Sequence, residues 1–214
     1  MGVGVKAAII PVTPFVQNCT LLWCPRTMKG AVVDPGGEID KIMGVVNEQH
    51  VELEKILITH GHVDHVGGAA ELAERLDLQI EGPHLEDSFL LEDIPEQCRR
   101  FSLPEGRAFT PDRWLRQEDI VTFGEVILQV GHCPGHTPGH VVFFNAEEKL
   151  ALVGDVLFHG SIGRTDFPRG DHASLLRSIR EQLWPLGDDM VFIPGHGPVS
   201  TFGEERRSNP FVAD

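Results

Sequence analysis

The segment Thr59-His60-Gly61-His62-Val63-Asp64-His65 limits what this chain can fold into more than any other stretch. It follows an apolar run at 56–59 with strand character and precedes a helical pattern at 68–76, where Leu72 and Leu76 stand four apart. In an extended or loop backbone, residues two apart project to the same side, so His60 and His62 can bind one ion together. Gly61 between them permits a tight backbone path. Asp64 and His65 fall where the chain turns into the helix, so they emerge in another direction and are placed to serve a second ion. Imidazole nitrogen with carboxylate oxygen suits Zn2+, Fe or Mn2+. The competing reading makes Asp64 the N-cap of the helix and leaves the histidines exposed in a polar loop. Four such residues within six positions at a strand-to-helix junction favour the metal.

Other apolar runs at 5–10, 19–23, 31–33, 120–123, 126–130, 141–144, 150–153 and 191–193 have strand length and are bounded by Gly, Pro, Asp or Asn. Helical spacing recurs at 39–46 and 173–183. Strands come first in clusters and then alternate with helices, which predicts an α/β sandwich rather than a parallel doubly wound sheet. With no repeat and no Gly/Ser or Pro-rich linker, residues 1–214 are expected to form one domain. The stretch 81–118 is the least regular, with four prolines, and reads as a surface excursion or lid.

Three of these strands run into further ligand types. They lead into Gly131-His132-Cys133-Pro134-Gly135-His136-Thr137-Pro138-Gly139-His140, into Gly154-Asp155 and into Pro194-Gly195-His196. In open α/β sheets the functional crevice lies beyond the carboxyl ends of strands, so groups delivered there converge. Pro134 and Pro138 forbid a helix, so the four-residue spacing does not rank His132, His136 and His140. His140 also fits a structural histidine opening a strand, and His132 a turn residue. Asp34, in Asp34-Pro35-Gly36-Gly37, reads most simply as a turn aspartate. Surface placement is the default for His50, His84, His159 and His172.

Asp+Glu outnumber Lys+Arg by 32 to 18, and the net charge of −14 argues against nucleic acid or an anionic membrane as the main partner. No segment approaches the about 18 apolar residues of a membrane span. The N-terminal stretch lacks a secretory pattern, so a cytoplasmic location is expected. Cys19, Cys24, Cys98 and Cys133 form no Cys-x-x-Cys pair and read as free thiols. The sequence holds 11 His and no Tyr.

These residues resemble the metallo-β-lactamase fold hydrolases, and within them the glyoxalase II-like (hydroxyacylglutathione hydrolase) branch. Residues Thr59 to Gly68 look like that superfamily's His-x-His-x-Asp-His signature. Pro134-Gly-His-Thr-Pro-Gly-His140, Gly154-Asp-Val-Leu-Phe158 and Pro194-Gly-His196 resemble its later motifs, in the right order. The resemblance implies a four-layer αβ/βα sandwich, with the site at one edge of the paired sheets. It implies that His60, His62 and His136 hold one metal, that Asp64, His65 and His196 hold a second, and that Asp155 bridges them. Asp64 and Asp155 are thus the carboxylates expected in catalysis. Asp34 becomes a residue that supports the ligands from behind.

The cofactors implied are two divalent ions, Zn2+ first, with Fe or Mn as alternatives, sharing a bridging hydroxide. The reaction implied is hydrolysis of a small-molecule thioester, S-D-lactoylglutathione or a related hydroxyacylglutathione. A thiolate departs without a strong general acid, which agrees with the missing Tyr. Glyoxalase II proper also has a C-terminal helical domain, and this chain ends about where that domain would begin. The family presents a Lys-x-Tyr sequence to its substrate where this chain reads Gly163-Arg164-Thr165-Asp166-Phe167-Pro168-Arg169-Gly170-Asp171. Arg164 and Arg169 are therefore the expected substrate contacts, Arg164 as a carboxylate clamp. The competing reading makes them a surface pair balanced by Asp166 and Asp171. Class B β-lactamases usually place Cys at the position of Asp155, which counts against β-lactam hydrolysis. The alternative activity is that of the persulfide dioxygenases, which share the fold and a similar Gly-Arg-Thr-Asp-Phe stretch but bind one iron through two His and an Asp. The sequence does not fix the oligomeric state, and a monomer is compatible with it.

Overall fold

The strand segments at 17–22, 30–33, 151–154 and 192–194 are buried on both faces, and that dictates the layering. In the computed structural model, which describes residues 4–212, the chain forms two main sheets. The first contains β1 (Lys6–Val12), β2 (Gln17–Trp23), β3 (Lys29–Val33), β4 (Glu52–Leu57) and β5 (Gln79–Glu81), side by side in sequence order. Strands β1 to β3 are antiparallel, whereas β3, β4 and β5 run parallel. The parallel pairs are joined by α1 (Ile39–Glu48) and by the short helices α2 (Val63–Val66) and α3 (Ala69–Leu76).

The second sheet contains β6 (Ile120–Phe123), β7 (Val126–His132), β8 (Val141–Asn145), β9 (Leu150–Gly154), β12 (Val191–Pro194) and β13 (Ser200–Thr201), with β12 paired to β9 in parallel. A small ribbon of β10 (Leu157–Phe158) and β11 (Ser161–Ile162), then α6 (His172–Ser178) extended by a π-turn, lie between β9 and β12. Helix α7 (Phe202–Ser208) follows β13.

Period-two alternation divides the apolar residues among three cores. Leu21, Val32 and Ile56 face α1 and α3, joining Ile42 and Leu72. Their neighbours Leu22, Val33 and Leu57 face the second sheet and meet Phe123, Phe143 and Leu152. On the far side, Val142, Ala151 and Phe192 pack against Leu175, Trp184 and Phe202. The order is helices, sheet, sheet, helices: the four-layer sandwich.

Two sequence expectations need correction. Strand β4 stops at Leu57, so Thr59 belongs to the loop rather than the strand. The stretch 81–118 is not irregular throughout: it carries a 3-10 turn at Leu85–Asp87, then α4 (Ser88–Glu92) and α5 (Ile94–Phe101). Among the described residues no helix is long and apolar enough to cross a membrane.

Candidate metal centre

Each chemically suggestive loop leaves the carboxyl end of a strand, and all of them emerge at the same edge of the sandwich. Asp34 follows β3, residues 58–65 follow β4, residues 133–140 follow β7, Asp155 follows β9 and His196 follows β12. His62, not Asp64, is the N-cap residue of α2, which frees the Asp64 carboxylate to face the site. Residues 133–140 contain no helix.

Three histidines meet first. His60 Nε2 lies 3.1 Å from His62 Nδ1, and His136 Nε2 lies 2.9 Å from that same atom. Burial holds all three below the ordinary histidine range, His60 far below and His62 at about 3; repulsion from neighbouring imidazoles adds to it at His60 and His62, while Asp155 opposes it at His136. Three neutral rings with converging lone pairs form a cation donor set.

A second group lies beside them. Asp64 Oδ2 is 3.1 Å from His196 Nε2 and 3.8 Å from His65 Nε2. Asp155 stands between the groups: Oδ1 is 3.4 Å from His65 Nε2, and Oδ2 is 3.6 Å from His136 Nε2 and 3.7 Å from His196 Nε2. Burial opposes the charged form of Asp155, yet His65, His136 and His196 outweigh it and hold the carboxyl far below its usual range. His65 is correspondingly raised: burial works against its proton, but Asp155 and Asp64 prevail. His196 is raised in the same way, with Asp64 and Asp155 overcoming burial.

The fit to metal rests on two orphaned atoms. His65 Nε2 and Asp155 Oδ1 are both buried without a hydrogen-bond partner. Native interiors rarely leave such atoms unsatisfied, and a cation between the groups would satisfy both.

Behind the ligand candidates, Asp34 (φ 52°) is buried and accepts three bonds: from Thr59 N at 2.7 Å, from Thr59 Oγ1 at 2.6 Å and from His65 Nδ1 at 2.8 Å. It is more than a turn residue. The three histidines that spacing could not rank separate here. His136 joins His60 and His62. His140 Nε2 accepts from Asp155 N at 3.0 Å, and its ring stacks on His60 at 4.6 Å. His132 instead stacks on His84 at 4.3 Å and bonds Pro138 O at 2.9 Å. Those two lie near Glu86, but near-parallel rings do not aim their nitrogens at one point. His84 is thus half-buried rather than a free surface residue, while His50, His159 and His172 are exposed and away from the site.

Sequence reasoning missed two buried polar residues. Asn18 Nδ2 donates to Pro194 O at 3.0 Å and Gly197 O at 2.9 Å, fixing the His196 loop. Asp87 accepts from Gly61 N at 2.9 Å, Thr137 Oγ1 at 2.8 Å and Gly139 N at 2.6 Å. Burial pushes its carboxyl up to about 6 against those donors.

The metal-capable groups form the floor of a cleft of about 610 Å3, walled by Phe15, Phe89, Phe101, Phe158 and Phe167. Arg164 reaches the rim, where its guanidinium lies over Phe167 at 4.6 Å and forks onto Asp166 with bonds of 2.9 and 2.6 Å. The surface pairing weighed against a clamp therefore exists for Arg164. Arg169 does not pair with Asp171, which caps α6; it lies over Phe89 at 4.2 Å. Arg100, on α5, lines the cleft and was not anticipated.

Fold, site and comparison agree on the class. The Metallo-beta-lactamase superfamily matches residues 12–196, and the chain belongs to that superfamily. Within it, the chain is a metal-dependent hydrolase with clusters that support a binuclear metal site. It is 49% identical over 205 residues to hydroxyacylglutathione hydrolase GloC of Haemophilus influenzae, covering 95% of this chain and 96% of the relative. Among solved structures, TTHA1623 in a di-iron-bound form shares 36% identity and a TM-score of 0.87 over 96% of this chain and 100% of that one. The BLEG-1 B3 metallo-β-lactamase shares 32% identity and a TM-score of 0.90 over 98% and 100%.

Proposed function

We propose that this chain hydrolyses a thioester, S-D-lactoylglutathione or a related hydroxyacylglutathione, at two divalent metal ions. The observation that carries the reading is the pair of donor groups sharing Asp155 at the floor of one cleft, which is more ligation than one ion needs. In this assignment His60, His62 and His136 would hold one ion, Asp64, His65 and His196 would hold the other, and Asp155 would serve both. Two ions held by these residues would supply Lewis acidity and would lower the pKa of water from 15.7 to about 7. Imidazole and carboxylate donors suit Zn2+, Fe and Mn2+; Zn2+ is the ion we propose, with Fe and Mn2+ as test arms.

The remaining chemistry belongs to the chain's own residues. Asp34 accepts a hydrogen bond from His65 Nδ1–H and so leaves Nε2 free to ligate. The phenylalanine walls give the cleft an apolar lining beside the donor groups. The leaving thiolate has a conjugate acid of pKa about 8.5, so departure needs no strong general acid, and the sequence has no Tyr to act as one. Arg164 lies where it can exchange Asp166 for a substrate carboxylate. The identity to GloC supports the choice of thioester.

The test is a panel of thioesters, lactones and a β-lactam with protein of measured metal content. Thioesters should turn over fastest, chelation should abolish turnover, and metal should restore it. One tightly bound ion without thioester turnover overturns the reading. Oxygen uptake with glutathione persulfide would replace it with the dioxygenase activity.

A further inference from the structure

We infer that Asp87 is a positioning residue for the three-histidine metal set, clamping the His60–His62 loop against the loop that carries His136. The inference deepens the ligand assignment above and rests on it. The two loops come from different halves of the molecule, one from the end of β4 and one from the end of β7. Between them, one backbone bond from Val141 N to Thr59 O (2.8 Å) fixes their approach at the strand ends. Nearer the ligands, the Asp87 carboxylate makes the connection. Its Oδ2 accepts from Gly61 N, between His60 and His62, and from Thr137 Oγ1, next to His136, while Oδ1 accepts from Gly139 N.

The clamp is held tightly on its own side. Asp87 N donates to His84 O, and His84 N donates to Gly139 O, both at 3.0 Å. A Cβ on Gly139 would stand 2.5 Å from Asp87 N and 2.7 Å from its Cγ, and one on Gly61 would stand 2.7 Å from Leu90 Cβ. Only glycine lets the two ligand loops come this close to the clamp. Asp87 ends the 3-10 turn that leads into α4, whose Phe89 and Leu90 wall the cleft. The same carboxylate therefore ties the cleft wall to the metal ligands, so this part of 81–118 acts as a fixed wall rather than a free lid.

Asparagine at this position nearly preserves volume but cannot preserve the bonds. In either amide orientation its –NH2 faces a backbone N–H, of Gly61 or of Gly139, that cannot reverse. The experiment measures Zn2+ affinity by competition with a chromophoric chelator, in the His196→Ala background, where only the His60, His62 and His136 set keeps all its histidines. Adding Asp87→Asn is expected to weaken that ion by about 10- to 100-fold, the range typical of groups that orient metal ligands. In the otherwise intact enzyme, kcat for a thioester should fall while KM stays. A folded Asp87→Asn protein with undiminished Zn2+ affinity overturns the clamp. If Asp87→Asn does not fold, Thr137→Val removes one donor and keeps both amides; it should weaken the ion several-fold, and unchanged affinity again overturns the proposal. His62→Ala separates the two levels. If it binds Zn2+ like the parent, the ligand assignment fails, whereas a defective His62→Ala beside a normal Asp87→Asn refutes the clamp alone.

Discussion

Asp34→Asn tests the second donor group through a single proton. Thr59 N points its hydrogen at Asp34 Oδ1 from 2.7 Å and cannot reverse, so the asparagine must keep its oxygen there. Its –NH2 then replaces Oδ2, which now accepts from Thr59 Oγ1 and His65 Nδ1. The hydroxyl can rotate to accept, but the imidazole has two poor choices. It can keep hydrogen on Nδ1 and face another donor, a buried mismatch costing about 1–3 kcal/mol. Or it can move the hydrogen to Nε2, the atom 3.8 Å from Asp64 Oδ2 and 3.4 Å from Asp155 Oδ1, where a protonated nitrogen cannot bind metal. Either route should weaken the ion held by Asp64, His65 and His196 by about 1.4–3 kcal/mol, a factor of about 10 to 100. Zn2+ stoichiometry under increasing chelator is the assay: one ion should leave early while the three-histidine ion stays. Retention of both ions with wild-type affinity would refute the argument that Asp34 sets the His65 tautomer.

Acid stability of the metal-free protein offers a second check. His62 is held at about 3 in the fold against an ordinary 6.5, so its contribution is full above 6.5 and is lost as pH falls toward 3. His62→Gln should therefore lose less stability across that window than wild type, by at most about 5 kcal/mol in urea titrations, and equal slopes would sink the idea. His60 and His136 titrate in the same sense and His65 and His196 in the opposite one; all four are present in both proteins, so the difference between the slopes reports His62 together with its coupling to them. Phe143→Ala, in the fully buried centre between the sheets, should cost about 3–5 kcal/mol in the same assay. A loss under about 1 kcal/mol would mean that the inter-sheet core is not packed as described.

How much was legible in the sequence follows from where each signal resides. Strands such as β2, β8 and β9 appear as apolar-rich runs and were found to within about two residues. Helix α5 was not, because one of its buried positions is Gln97, whose Oε1 accepts from Val63 N and whose Nε2 donates to Leu90 O. A polar residue on the inward face blurs the apolar periodicity. Strand β5 is three residues long, and its buried Glu81 is neutralised by Lys55 and Arg113 from elsewhere in the chain. In the site, His60, His62, Asp64 and His65 were visible because they sit together at a strand end. Asp87 left no local trace: its partners lie 26, 50 and 52 positions away. The roles of His132, His136 and His140 diverge only because the chain turns at Pro134 and Pro138, giving each ring a different neighbour.

The division of the donors between the halves explains why buried polar groups gather at the seam. His60 and His62 come from the first sheet and His136 from the second; Asp64 and His65 come from the first and His196 from the second. Each donor group thus spans the interface, and a metal–nitrogen bond of about 2.0–2.1 Å tolerates little sliding of one sheet over the other. Apolar packing resists separation of the sheets but is non-directional, so it sets lateral register poorly. Directional bonds at the ligand edge supply that register. Asn18 N donates to Gly195 O at 2.7 Å, the Asn18 side chain reaches Pro194 O and Gly197 O, Val141 N donates to Thr59 O, and Asp87 joins Gly61 to Gly139. Each of these bonds ends within three residues of a proposed ligand. Burying the Asp87 carboxylate without a paired cation costs the fold stability, whereas the cost of burying Asn18 is offset by its own hydrogen bonds. It is the arrangement expected if the distances across the seam, rather than stability, are what these residues maintain.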